Sequence, residues 1–285
     1  MADARASNQE HCLSALRAGD RDRYLCALLT PENHRGPVAS LYAFNLELAR
    51  IRELITEPMM GEVRLQWWRD LINSEARGEA LANPIAAGLL ETIERYQLPK
   101  PLLQNMLEAR QFDLYDDPMP DRNTFEGYAG ETASALIQLC VHVLAPEASD
   151  HTSTAAGHAG VAQSIAGALL LLPVHRSRGQ VYIPGDILSA SGLDRERFLD
   201  GNDRVAIDHA IAGFVALGRE HLASARAAGS GVPAEAFAAF LPVATAEQVF
   251  DYAGRAGAGL LAQPLQVPQW RRQWRFWRAA RKGRF

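Results

Sequence analysis

Residues 160–184 read GVAQSIAGALLLLPVHRSRGQVYIP, and this stretch restricts the fold more than any other. Its first half is apolar and rich in Gly, Ala and Ser, which let a neighbouring helix come close, and Leu169 to Leu172 fill the remaining space. Pro173 then ends or kinks the helix, because proline lacks a donor and clashes with the preceding turn. A cationic elbow follows in His175, Arg176 and Arg178, and then a short extended piece, Val181-Tyr182-Ile183-Pro184. Thr152 to Val174 contains no Asp, Glu, Lys or Arg. His158, Gln163 and Ser164 interrupt it, however, and Gly157, Gly160, Gly167 and Pro173 dilute it. A membrane span wants about 20 predominantly apolar residues, so the segment reads as a buried core helix with other helices packed around it.

The rest of the chain supplies them. Asp20 to Leu29 reads as a first helix, Arg35 to about Glu57 as a second and Gly61 to Gly78 as a third, the last with a stripe of Val63, Trp67, Leu71 and Ile72. Pro84–Tyr96 and Lys100–Tyr115 follow, then a loop at 116–120. Asn123 or Thr124 can cap the next helix, which runs to about Leu144. Pro184–Leu193 resembles a short helix and turn, Asp203–Ala228 is long and helical, and Ala234 to about Ala262 is helical after a Gly-Ser-Gly break. Alternating runs long enough for a sheet are missing. With 285 residues, 48% of them apolar, and no internal repeat or dividing linker, a single all-α domain is the economical architecture. A net charge of −4 gives no footprint for nucleic acid. Cys12, Cys26 and Cys140 are too scattered for a disulfide framework or a zinc site and fit a reducing compartment. Asp3, Glu10 and Asp20, with no apolar run, make the N-terminus unlike a secretory signal or a transit peptide.

Generic catalytic motifs are missing: the sequence has no GxSxG, HExxH or P-loop. Gly254, Gly257 and Gly259 lack a preceding strand and read as close helix packing. Asp113, Asp116 and Asp117 form an acidic cluster before Pro-Met-Pro, read as a solvated turn. The C-terminus stands out. From Trp270 onward it holds seven basic residues and no acid, so the rest of the chain is markedly acidic. On a helix Trp270, Trp274 and Trp277 share one stripe, and Arg271, Arg275, Arg278 and Lys282 fall on the next. Tryptophan beside cations suits an anionic membrane surface or a partner, and docking on the acidic body or contact with nucleic acid are the alternatives.

Leu29-Thr30-Pro31, Arg35, Leu41-Tyr42-Ala43-Phe44, Trp67-Trp68, Tyr128 and Val181-Tyr182-Ile183-Pro184 resemble, in order and spacing, landmarks of the squalene/phytoene synthase family. The resemblance implies an isoprenoid synthase fold, a single all-α helical bundle around a central cavity. It covers roughly residues 20–265, with 1–19 as an N-terminal extension and 266–285 as a basic aromatic tail. Family members join prenyl diphosphates head to head through two Asp-rich motifs that hold Mg²⁺ against the diphosphate. At those positions this chain has Ala49 and Glu53 in the first motif and Leu171 and His175 in the second, with Pro173 expected to spoil the register between the latter two. One carboxylate cannot hold a Mg²⁺ cluster, so no cofactor and no metal-assisted ionisation are expected.

YLCALLTP, AFNLELARIRE, MGEVRLQWW and PVHRSRGQVYIP are similar to the complex I assembly branch of that family, which also lacks the Asp motifs. The resemblance implies a non-catalytic helper whose partners are complex I subunits or assembly intermediates. It would work in a bacterial cytoplasm at the inner-membrane surface, the counterpart of the mitochondrial matrix side. Two alternatives stay open. Arg50, His175, Arg176, Arg178 and Tyr182 are candidate anion- or phosphate-binding residues that could hold a prenyl diphosphate or lipid headgroup without metal. An active prenyltransferase would need relocated acids such as Asp113, Asp116 and Glu53, with Mg²⁺.

Overall fold

The computed structural model describes residues 2–73, 78, 82–115, 117–265 and 267–285. Helices begin where short polar side chains can take up orphan amide donors. Asp20 accepts from the Arg23 amide at 3.0 Å, Asp121 from Thr124 at 2.8 Å, Asp194 from Arg197 at 2.8 Å and Asp203 from Ala206 at 3.1 Å. Asn83 accepts from both Ile85 and Ala86. Asp121, rather than Asn123 or Thr124, is therefore the cap before the 122–129 helix.

The order is α1 (Ala2–Gly19), α2 (Arg21–Leu29), α3 (Glu32–Leu54), α4 (Pro58–Ile72), α5 (Pro84–Tyr96) and α6 (Lys100–Ala109). Then come α7 (Arg122–Ala129), a π turn at Gly130–Ser134, α8 (Ala135–Leu144), α9 (Ser149–Leu170) and α10 (Leu172–Ser177). The short α11 (Gly185–Ala190) and α12 (Arg195–Asp200) lead to α13 (Arg204–Ala228), α14 (Ala246–Ala256) and α15 (Gln269–Lys282). No strand occurs among the described residues. This is the all-α bundle around a cavity that the sequence implies.

The apolar helix α9 lies inside the bundle, packed most extensively on α13 and also against α8 and the π turn. Gly160 makes that packing feasible: a Cβ there would stand 2.3 Å from the Ser134 amide nitrogen. Among the described residues no helix is long and apolar enough to cross a membrane.

Several expectations change. Residues 2–19 form a helix packed on α3 and α5, with Cys12 and Leu16 fully buried. The fifth expected helix stops at Ala109, and a 3₁₀ turn, Phe112–Leu114, takes over. On α4 the inward face is Gly61, Leu65, Trp68 and Ile72, one turn apart each time, while Val63 points to solvent. The extension of that helix toward Gly78 falls largely outside the described residues. In place of one helix over 234–262, two 3₁₀ segments, Phe237–Thr245 with Pro242 inside it and Gly257–Leu261, flank α14. Gly254 and Gly259 have open space where a Cβ would go, so they do not serve close packing; Gly257 is needed for its positive φ of 49° beside Asp208.

Candidate functional site

A cavity of about 500 Å³ opens between α2, α3, the end of α6, α9 and α10. Its most buried carboxylate is Asp113, carried inward by the 3₁₀ turn. Arg110 donates to Asp113 Oδ2 at 2.8 Å, and the hydroxyls of Tyr128 and Tyr182 donate to Oδ1 at 2.9 and 2.8 Å. Arg110 also reaches Tyr128 at 2.9 Å and Asn45 at 3.3 Å, and Gln180 holds the Asp113 carbonyl at 3.2 Å. Burial pulls the Arg110 pKa down, but Tyr128 and Asp113 outweigh it and hold the guanidinium charged. Burial, and then Asp113, push the Tyr182 phenol up, so it stays a donor. Asp113 is thus not part of a solvated turn. Asp113 is a buried hub, Asp117 is exposed, and Asp116 lies outside the described residues. The two landmark tyrosines, 128 and 182, converge on it.

The other lining carboxylates are matched in the same way. Asp20 pairs with Arg23 at 2.7 Å, Asp22 with Arg272 at 2.9 Å and Glu53 with Arg178 at 3.5 Å. Arg52 is a fifth arginine of the lining.

All four degenerate motif positions, Ala49, Glu53, Leu171 and His175, line this cavity. Pro173 does not spoil their register. It occupies the first turn of α10, where its missing donor costs nothing, and the His175 amide still bonds the Leu171 carbonyl at 2.9 Å. His175 packs at a tilt against Tyr182 with ring centroids 4.6 Å apart, and burial lowers its pKa to about 4, so the ring is neutral.

The candidate anion set is divided. Arg178, His175 and Tyr182 face the cavity. Arg176 does not: it turns to the opposite side of α10 and donates to the Leu199, Asp200 and Leu261 carbonyls at 2.8, 3.0 and 3.3 Å. Arg50 is an exposed side chain 3.6 Å from Glu53, outside the lining. Arg23, Arg110 and Arg272 are the members that sequence reasoning missed. The i,i+3 spacing of Arg110 and Asp113 was a readable sign of a pair, but nothing local marked it as buried.

A Mg²⁺ cluster does not fit these residues. Three of the four motif positions carry no carboxylate, and the fourth, Glu53, has guanidinium groups on either side. Among the described residues no three His, Cys, Asp or Glu side chains come together in a metal-holding group.

The C-terminal helix closes one wall. Phe276 and Ala279 of α15 are buried, Arg272 reaches Asp22, and Phe285 stacks on Phe237 and Phe240. The opposite face is open. Trp270, Trp274 and Trp277 are 65%, 50% and 49% exposed, with Arg271, Arg278 and Arg281 lying over their rings at 5.1–5.3 Å. Arg275, on the flank, is half-buried.

A profile described as squalene/phytoene synthase matches residues 16–278. The rat protein "NADH dehydrogenase (ubiquinone) complex I, assembly factor 6" is 32% identical over 256 residues, spanning 90% of this chain and 77% of its own. The human protein of that name gives the same identity and coverage, and the Drosophila melanogaster homolog is 27% identical over 90% of this chain and 78% of its own. Among solved structures, a dehydrosqualene synthase superposes with a TM-score of 0.79 at 14% identity, over 98% of this chain and 97% of that one. Squalene synthase HpnC from Alicyclobacillus acidocaldarius gives 0.74 at 18% identity, over 88% and 94%. At such identities these structures speak for the fold alone.

Proposed function

Since the chain belongs to the squalene/phytoene synthase family while three of its four metal-motif positions carry no carboxylate, we propose that it is a non-catalytic helper in the assembly of respiratory complex I. The observation that carries the reading is the state of the motif positions. Ala49, Leu171 and His175 offer no carboxylate, and Glu53 faces Arg178. Departure of a diphosphate needs its charge neutralised by metal ions, and an arginine-balanced wall does not gather them. The assembly role is supported by relatives bearing that name across nine-tenths of the chain. The partners are then complex I subunits or their assembly intermediates. The outward tryptophan–arginine face of α15 supports action at an anionic membrane surface, on the cytoplasmic side of a bacterial inner membrane.

The test is genetic and biochemical. Deleting the gene in its host should lower the amount of assembled complex I on native gels and its NADH oxidation in membranes. Re-expression of the chain should restore both, and an Arg176→Ala/Arg178→Ala form should restore them as well. Normal complex I levels in the deletion strain would reject the reading.

A further inference from the structure

We propose that the junction of α14 and α15 holds a phosphate seat, built from Tyr252, Arg255 and Arg271, that takes the phosphodiester headgroup of an anionic bilayer lipid. The inference rests on the membrane action proposed above and names the chemistry recognised there.

Two guanidinium groups meet on one phenol. Arg271 donates from Nη1 to the Tyr252 hydroxyl at 2.9 Å, and the Arg255 guanidinium lies over the Tyr252 ring, 4.9 Å from its centroid. Both arginines are exposed, and neither has a carboxylate partner among the described residues. The neighbouring acids of α14 are engaged on its other side. Asp251 holds Arg219 at 2.7 Å and Glu247 holds Arg226 at 2.9 Å, both arginines on α13. The hydrogen bond from Arg271 pulls the Tyr252 phenol below the usual tyrosine range, and both guanidinium charges act in the same direction. Two like charges are thus gathered at one point of the surface with no described carboxylate to balance them.

This arrangement selects phosphate. A guanidinium stacked on a ring keeps its N–H donors free along its edge. A planar carboxylate meets one such fork, whereas a tetrahedral phosphate offers oxygens in several directions and can join two. The Tyr252 hydroxyl, while accepting from Arg271, still has its own hydrogen to donate. The Arg271 guanidinium also lies 5.2 Å from the Trp270 ring centroid, so an indole suited to the headgroup level stands beside the seat. The three exposed tryptophan rings each have a guanidinium over one face. A nucleic-acid base would need such a face for stacking, so the surface fits lipid headgroups better than RNA.

The experiment uses the full chain and phosphatidylcholine vesicles carrying one added anionic lipid, phosphatidylglycerol or cholesteryl hemisuccinate, matched for surface potential. Binding is read by co-sedimentation, with oligouridylate as a competitor. The expected result is binding to the phosphatidylglycerol vesicles about fivefold or more tighter than to the carboxylate vesicles. Arg255→Gln should weaken binding to phosphatidylglycerol about tenfold, beyond the roughly fivefold that one basic residue near such a surface contributes, and weaken binding to the carboxylate vesicles only by the latter factor. Tyr252→Phe keeps the charges and the ring. It should cost about threefold on phosphatidylglycerol, the worth of one hydrogen bond, and nothing on the carboxylate vesicles. Both variants should melt at the wild-type temperature. Arg204→Gln, an equal loss of charge at the exposed start of α13, should leave binding unchanged. If the wild-type chain binds neither anionic vesicle, the membrane reading of α15 fails and the seat with it. If the two vesicles are bound alike, or both seat variants weaken them equally, the membrane reading stands and the seat is overturned. Displacement of the vesicles by oligouridylate at lower concentration than by phosphatidylglycerol would overturn the seat in favour of nucleic acid.

Discussion

Asp113 shows how one residue can organise a pocket without reacting in it. It takes charge-assisted hydrogen bonds from Arg110 and two tyrosines inside the protein. Asp113→Asn keeps the shape but leaves the Arg110 charge unmatched. Removing one partner of a buried pair costs about 3–5 kcal/mol, so urea unfolding of the variant should show a loss of that order; a loss below about 1 kcal/mol would mean that the hub is not structural. His175 makes a second prediction at this scale. Burial depresses its folded pKa to about 4, below the 6.5 of the free side chain. The neutral ring therefore stabilises the fold fully above pH 6.5, and that contribution is lost as pH falls from 6.5 towards 4, where the unfolded chain takes up the proton first. The slope amounts to roughly 2–3 kcal/mol over the window. His175→Gln should flatten it relative to wild type in chemical denaturation at pH 7, 5.5 and 4.5. An unchanged pH profile would mean that the ring is not held neutral. In the sequence, residues 175, 178 and 182 were recognisable as a group because the elbow is continuous. Arg23, Arg110 and Arg272 were not, since they come from three distant helices and only the tertiary fold brings them together.

Elements explain which patterns could be read directly. The small-residue run in α9 implies close approach, and Gly160 against the Ser134 backbone is where it happens. Gly160→Ala puts a methyl group into backbone that cannot move aside. Overpacking of this kind costs about 1–3 kcal/mol, measurable as a lower melting temperature, whereas Gly157→Ala on the same helix meets open space and should be neutral or slightly stabilising. If both variants behave alike, packing at 160 is not limiting. The tail helix α15 was readable as amphipathic, but its two roles were not separable by periodicity. Its spacing gives a tryptophan face and a second face, and contact with the body decides that Phe276, Ala279 and Arg272 point inward. The triple Trp270→Ser/Trp274→Ser/Trp277→Ser change spares that inner face. It should cut retention on phosphatidylglycerol vesicles at least tenfold without lowering thermal stability. Undiminished retention would detach the membrane from this helix.

For the whole molecule, an all-α bundle was deducible because helical periodicity runs nearly the length of the chain and no alternating segment competes with it. The cavity itself was not deducible from periodicity. It depends on how helices from both halves of the chain diverge, and only the family resemblance supplied it. At this scale the chain should release no pyrophosphate and form no head-to-head product when incubated with farnesyl diphosphate, Mg²⁺ and NADPH. Metal-dependent turnover would show that the arginine-matched acids can still serve a cluster. The C-terminal helix carries a mechanical consequence as well. Through Arg272 it buttresses the inner chamber, while its opposite side presents three indole rings to whatever lies outside. The one helix thus joins the exposed rings to the Arg272–Asp22 strut, so whatever grips the exterior is anchored at the chamber wall.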